Sequence, residues 1–178
     1  MATKPESNAQ EQATEQPMEG STQALIQERI NQASDIVRRK MMWSLGLGLV
    51  PVPLVDLAGL LGLQIYMLKQ LADVFEVPFN RNRVKTIVMS LVGSGLPVGL
   101  AGPLASGLKM IPVIGYTTGA VSMSLTGAAA TYGLGKLFTY HFAEGGSFMD
   151  FDSDRMKEAF AQRFKEGQEV AKEAKAQS

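Results

Sequence analysis

Two prolines in an otherwise unbroken apolar run, Pro51 and Pro53, constrain this chain more than any other feature. The run extends from Trp43 to Phe75 and reads WSLGLGLVPVPLVDLAGLLGLQIYMLKQLADVF. A proline ring has no N–H to donate and clashes with the preceding turn, so no continuous helix passes through both positions. At the first turn of a helix the missing donor costs little. The run therefore reads as a short apolar arm, a kink at Pro51 and Pro53, and a second helical arm of about twenty residues. That second arm ends polar at Lys69, Asp73 and Glu76, with Lys69 and Asp73 spaced as an i,i+4 pair.

Asp56 is the one carboxylate in the apolar part of the run. A carboxylate inside an apolar segment is costly and marks a candidate site. In the first turn after Pro53 it also complements the positive end of the helix dipole. Both roles stay open from the sequence. Gln64, two turns further on, is placed to share a buried hydrogen-bond network with it, since a buried amide must find partners.

Overall charge is uninformative, because 17 basic residues balance 17 acidic ones. The distribution is not. Of 18 glycines, 16 lie between Gly46 and Gly146, while between Thr86 and Phe142 only Lys109 and Lys136 are charged. A helix on the surface of a water-soluble domain shows polar residues at regular spacing, and here those positions hold Ser, Thr and Gly. The pattern points to an all-α, membrane-embedded helical bundle. Its parts are a Pro-kinked hairpin, two further apolar helices and amphipathic helices at the N- and C-terminal ends.

The chain divides into a disordered leader at 1–20, a membrane-associated helical domain at 21–148 and a charged C-terminal helix with a tail at 149–178. The leader is Gln-, Glu- and Pro-rich with little to bury, and no signal peptide is expected from it. A helix is expected from Ser21 or Thr22, with Leu25, Ile26, Ile30, Ala33 and Val37 on one stripe. It packs on the body of the protein, or else lies at a membrane surface with Arg38, Arg39 and Lys40 near lipid phosphates and Trp43 at headgroup depth. Val77 to Asn80 stop the hairpin's second arm, and Arg81, Arg83 and Lys85 read as a basic loop.

Segments 86–108 and 110–138 are long enough to cross a bilayer, although Pro97 and Pro103 must bend the first. Gly127, Thr131 and Gly135 stand four apart in the second, a spacing that lets helix backbones approach closely or that arises by chance in so small-residue-rich a segment. Gly145-Gly146 is expected as a hinge. A last helix is expected from about Ser153 with Met156, Phe160 and Phe164 on one face, its end from Gly167 fraying. Short Lys- and Arg-rich loops stay cytoplasmic. The expected topology is thus a re-entrant hairpin and two spans, with Lys109 outside and both termini cytoplasmic, in a bacterial inner membrane.

Catalysis finds little support. The chain has no cysteine and one histidine, His141, so thiol chemistry and zinc–thiolate sites are excluded. Gly135-Lys136 is followed by Leu137, and the earlier glycine that a phosphate-binding loop requires is Ala130. No metal, cofactor or catalytic residue is expected, and the balanced charge argues against nucleic-acid binding.

Two blocks carry a family likeness. The first is Pro51-Val-Pro-Leu-Val-Asp56 followed by Gln64, Met67, Leu71-Ala72 and Val-Phe-Glu-Val-Pro; the second is Lys109-Met-Ile-Pro112-Val-Ile-Gly115 followed by Gly119-Ala120, Thr131, Gly133-Leu-Gly135-Lys136, Phe142 and Gly145-Gly146. Together they resemble the YcjF-like bacterial family of unknown function, over roughly residues 35–150. The resemblance implies an inner-membrane protein with a GTPase as possible partner, and no catalytic residues. The reading is a non-enzymatic anchor or adaptor for a cytoplasmic partner, with the lipid bilayer and a second copy of the chain as further partners. Two other readings remain: a small oligomeric channel or translocation element, and a soluble helical bundle binding a hydrophobic ligand.

Overall fold

The computed structural model describes residues 8–47, 53–95 and 115–177, and the side chains of 20–46, 58–93 and 124–177. These residues form five helices: α1 (Asn8–Leu47), α2 (Pro53–Phe75), α3 (Arg81–Gly95), α4 (Gly115–Ala143) and α5 (Lys157–Ala176). The all-helical reading holds over the described residues. Helix α1 begins at Asn8, ahead of the start expected at Ser21 or Thr22, and α5 continues to Ala176 past the expected fraying point. Arg81, Arg83 and Lys85 form the opening turns of α3 instead of a loop. Asn80 initiates that helix, because its Oδ1 accepts the Arg83 N–H at 3.1 Å and so satisfies an otherwise unpaired donor.

Helix α4 is the axis of the fold. From Ser124 to Phe142 every position but Tyr140 is buried or half-buried, the behaviour of a helix that is apolar or small over most of its surface and surrounded by others. Its glycines set the approach of the neighbours. A Cβ on Gly127 would meet the Leu60 side chain of α2 at 3.2 Å, and one on Gly135 would come within 2.4 Å of Val37 on α1. A Cβ on Gly133 would lie 3.1 Å from the backbone nitrogen of Phe164, and one on Gly167 of α5 would be 2.8 Å from the Ala129 carbonyl oxygen. The Gly127–Thr131–Gly135 ridge is thus packed against α1 and α2.

The pairings fix the direction of each helix. Val37 lies against Gly135 and Ser44 against Thr131, so α1 and α4 are antiparallel. Arg29 pairs with Glu76 and Lys40 with Tyr66, so α1 and α2 are antiparallel too. Gly133 against Phe164 and Ala129 against Gly167 make α4 and α5 antiparallel. The end of α1, the start of α2 and the start of α4 therefore share one end of the bundle. Arg83, bonded to the Phe148 carbonyl just past α4, puts the start of α3 at the other.

The opposite end is closed by tight turns. Helix α2 stops with Glu76 in the left-handed region at φ 59, with Val77 N–H bonded to the Ala72 carbonyl at 2.8 Å, a Schellman termination. Helix α4 stops the same way, with Gly145 at φ 85 and Gly146 N–H bonded to the His141 carbonyl. Gly146 has no room for a side chain, since a Cβ there would touch the His141 ring. The Gly-Gly pair expected as a hinge is a packed cap.

Among the described residues no helix is long and apolar enough to cross a membrane. The second expected span is thereby corrected over its described residues, and the transmembrane part of the fold reading is left without support. The first candidate is helical through Gly95, its last described residue, and residues 96–114 lie outside the described ones. The second became α4, whose glycines, alanines and threonines face protein neighbours. Small residues permit that packing but contribute less apolar surface than leucine or isoleucine would. Pro51 and the expected hairpin tip also lie outside the described residues, whereas Pro53 is the first residue of α2.

Candidate membrane-facing surface

The polar residues singled out by sequence separate into one buried group and one first-turn position. Gln64 is 2% exposed, and its Nε2 donates to Thr131 Oγ1 at 3.4 Å. Thr131 Oγ1 donates to the Gly127 carbonyl at 2.9 Å and lies 2.9 Å from Ser44 Oγ, while Ser124 Oγ donates to the Leu45 carbonyl at 2.6 Å. This small network ties α1, α2 and α4 together in the apolar interior, where an unpaired amide would cost about 1–3 kcal/mol. Asp56 falls in the first turn of α2; its side chain lies outside the described residues, so the Gln64–Asp56 network is not among the bonds described.

His141 is mostly buried among rings. Its Nε2 lies 2.9 Å from the Ser147 carbonyl and 3.5 Å from Asp150 Oδ2, with Phe151 edge-on at 5.1 Å. The Asp150 carboxyl is held below the ordinary carboxylate range, chiefly by its hydrogen bond from Ser147. No group of three His, Asp or Glu residues that could hold a metal ion exists among the described residues. The partners of His141 are thus a backbone carbonyl and a solvent-exposed carboxylate.

The outer faces of α1, α2 and α3 carry a common gradient instead. On α1 the exposed residues run Arg38, Arg39, then Met42 and Trp43, then Gly46. On α2 they run, in the same spatial direction, Lys69, Tyr66, then Gly62, Gly59 and Ala58. On α3 the order is Lys85, Met89, Gly93. Trp43 is 67% exposed, Tyr66 52% and Met89 57%. Tyr66 and Met89 stand about 13 and about 12 Å from the ends of their helices at the α2–α3 turn, using 1.5 Å per residue, so they share a level. The Lys40 ammonium lies 4.4 Å from the Tyr66 ring centroid, tying α1 to α2 at that level. Burial first, and the adjacent Arg39 charge second, lower the Lys40 pKa.

Beyond this level, toward the shared helix ends, no exposed side chain of the described parts of α1, α2 or α3 is charged. Helix α5 differs, since Glu169, Lys172 and Glu173 stay exposed near its end. The uncharged surface is therefore one-sided. Sequence reading found Arg38, Arg39, Lys40 and Trp43 but missed Tyr66, Met42 and Met89. The signal was present: Lys69, Tyr66, Gly62 and Gly59 recur at three- and four-residue spacing on α2.

Comparison with known proteins adds to this geometry. Magnetosome membrane protein 22 of Magnetospirillum gryphiswaldense is 28% identical over 145 residues, covering 81% of this chain and 74% of that protein. No solved structure matches the chain. Residues 13–169, which hold all five helices apart from the two ends, match a family described as a domain of unknown function, and the chain belongs to that family, DUF697.

Proposed function

We propose that this is a non-enzymatic, membrane-associated protein that seats in a bilayer the end of α1, α2 and α3 whose described exposed side chains carry no charge, with Asp56 in the first turn of α2 at that end. It presents the opposite end, with the flank of α5, to a cytoplasmic partner. The observation that carries the reading is the parallel order of charged, aromatic or methionine, and uncharged residues on three separate helices. Interfacial membrane proteins show that order, because basic groups meet phosphates, aromatic rings favour the headgroup level and small apolar groups lie deeper. A magnetosome membrane protein as relative supports membrane association. The likeness to YcjF-like proteins favours an inner-membrane location with both termini cytoplasmic, a GTPase as the partner served, and an anchor or adaptor role.

Fractionation tests this reading. Membranes carrying the full chain are washed with alkaline carbonate and then extracted with detergent. The protein is expected in the membrane pellet until detergent releases it. Recovery as a monodisperse species from the detergent-free soluble fraction would contradict the proposal.

A further inference from the structure

We propose that Arg38, Arg39 and Lys40 of α1, with Tyr66 of α2, form a headgroup site for anionic phospholipids. This rests on the membrane reading above and assigns the lipid class. Arg38 stands four residues before Met42, and Arg39 four before Trp43, so each cation sits about 6 Å behind an exposed apolar side chain on the same face. That is the offset between a lipid phosphate and the upper acyl region entered by a tryptophan. Arg38 and Arg39 are exposed and take part in none of the ion pairs formed among the described residues. Asp35 lies one turn back, on the side away from the uncharged end.

Two cations of the neighbouring helix faces are engaged elsewhere. Lys69 is bound to Asp73 at 2.7 Å, and Arg29 to Glu76 at 2.8 Å. Lys40 is held over the Tyr66 ring, with its charge oriented before any ligand arrives. Three adjacent cations that form no ion pair among the described residues match a negatively charged surface. The apolar residues immediately beyond them make that surface a lipid one, since a soluble anion would have no use for Trp43 and Met42. Attraction to an anionic leaflet is about fivefold in affinity per basic residue near the surface.

Trp43 is the only tryptophan in the chain and reports its own surroundings. The full chain is reconstituted in bilayers of phosphatidylcholine and phosphatidylglycerol at fixed composition, with bromine quenchers placed on the acyl chains of one lipid or the other. Brominated phosphatidylglycerol is expected to quench Trp43 as though enriched about fivefold or more beside it. In the double variant Arg38→Gln, Arg39→Gln the enrichment falls toward one, while quenching by brominated phosphatidylcholine persists. Equal quenching by the two lipids in the unaltered protein overturns the anionic site and leaves membrane seating intact. Enrichment undiminished in the double variant overturns the assignment to these arginines. Absence of quenching by either lipid overturns the membrane seating itself.

Discussion

The two ends of this bundle use the same kinds of residue to opposite effect. At the end formed by the α2–α3 turn and residues 144–156, Phe138 stacks on Phe151 at 4.5 Å and Phe148 packs edge-on to Phe142 at 5.0 Å and Phe79 at 5.9 Å. Arg83 bonds the carbonyls of Phe148, Met149 and Phe151, giving these loop acceptors a charged donor. Of the large apolar residues there, Met149 is left exposed. At the other end Met42, Trp43, Tyr66 and Met89 stand outward, between 42% and 67% exposed, with the Lys40 ammonium over the Tyr66 ring. A chain able to bury Phe138, Phe142, Phe148 and Phe151 at one end does not lack the means to cover four side chains at the other. The proposed membrane seating accounts for the difference, with lipid against the side chains that the described helices leave outward.

The largest test of this contrast compares truncation at the two ends. Phe138→Ala removes a fully buried ring and is expected to lower stability by about 3–5 kcal/mol. Trp43→Ala is expected to change stability in detergent by less than about 0.5 kcal/mol while weakening membrane retention. Thermal unfolding of the two variants in one detergent measures both; comparable losses would erase the distinction.

The next effect concerns how closely the helices approach. Gly167→Ala places a methyl against a carbonyl that cannot move aside and should cost about 1–3 kcal/mol. Gly62→Ala meets nothing within 4 Å and should stabilise α2 by up to about 1 kcal/mol through helix propensity. Denaturant midpoints with opposite signs would support this division between a packed interior and an open face. The interior network predicts a smaller loss: Thr131→Val leaves the Gln64 amide without its partner and should cost about 1–2 kcal/mol, read by the same unfolding curves.

The sequence made part of this legible. The proline break, the helical class and the ring-bearing face of α5 at Phe160 and Phe164 follow from spacing alone. The fate of 110–138 did not. Uncharged, glycine-rich and long, it has the length of a span, and only the placement of α1, α2 and α5 shows that its small residues accommodate other helices. Arg83 escaped for a related reason, since its acceptors lie more than sixty residues away in a loop. Tyr132 likewise donates to Glu166 across 34 residues at 2.6 Å, a pairing that no local pattern announces.

That pairing yields the smallest prediction. The Tyr132 hydrogen bond is the main reason the Glu166 carboxyl sits below the ordinary range. A depressed carboxyl pKa adds stability that is present above the unfolded-state value near 4.3 and is lost as pH falls through the folded value. Tyr132→Phe should therefore flatten the decline in Tm below about pH 4.5, with an effect under about 1 kcal/mol because the pair is partly exposed and screened. An unchanged acid slope would remove Glu166 from the account.

The central claim is that one end of the bundle meets lipid and the other meets water. The chain has no cysteine, so single cysteines at positions 42, 89 and 149 carry nitroxide labels without competing sites. In reconstituted bilayers, power-saturation measurements compare collisions with oxygen, which concentrates in lipid, and with a water-soluble nickel chelate. Labels at 42 and 89 are predicted to favour oxygen and the label at 149 to favour nickel; nickel accessibility as high at 42 and 89 as at 149 would contradict the account.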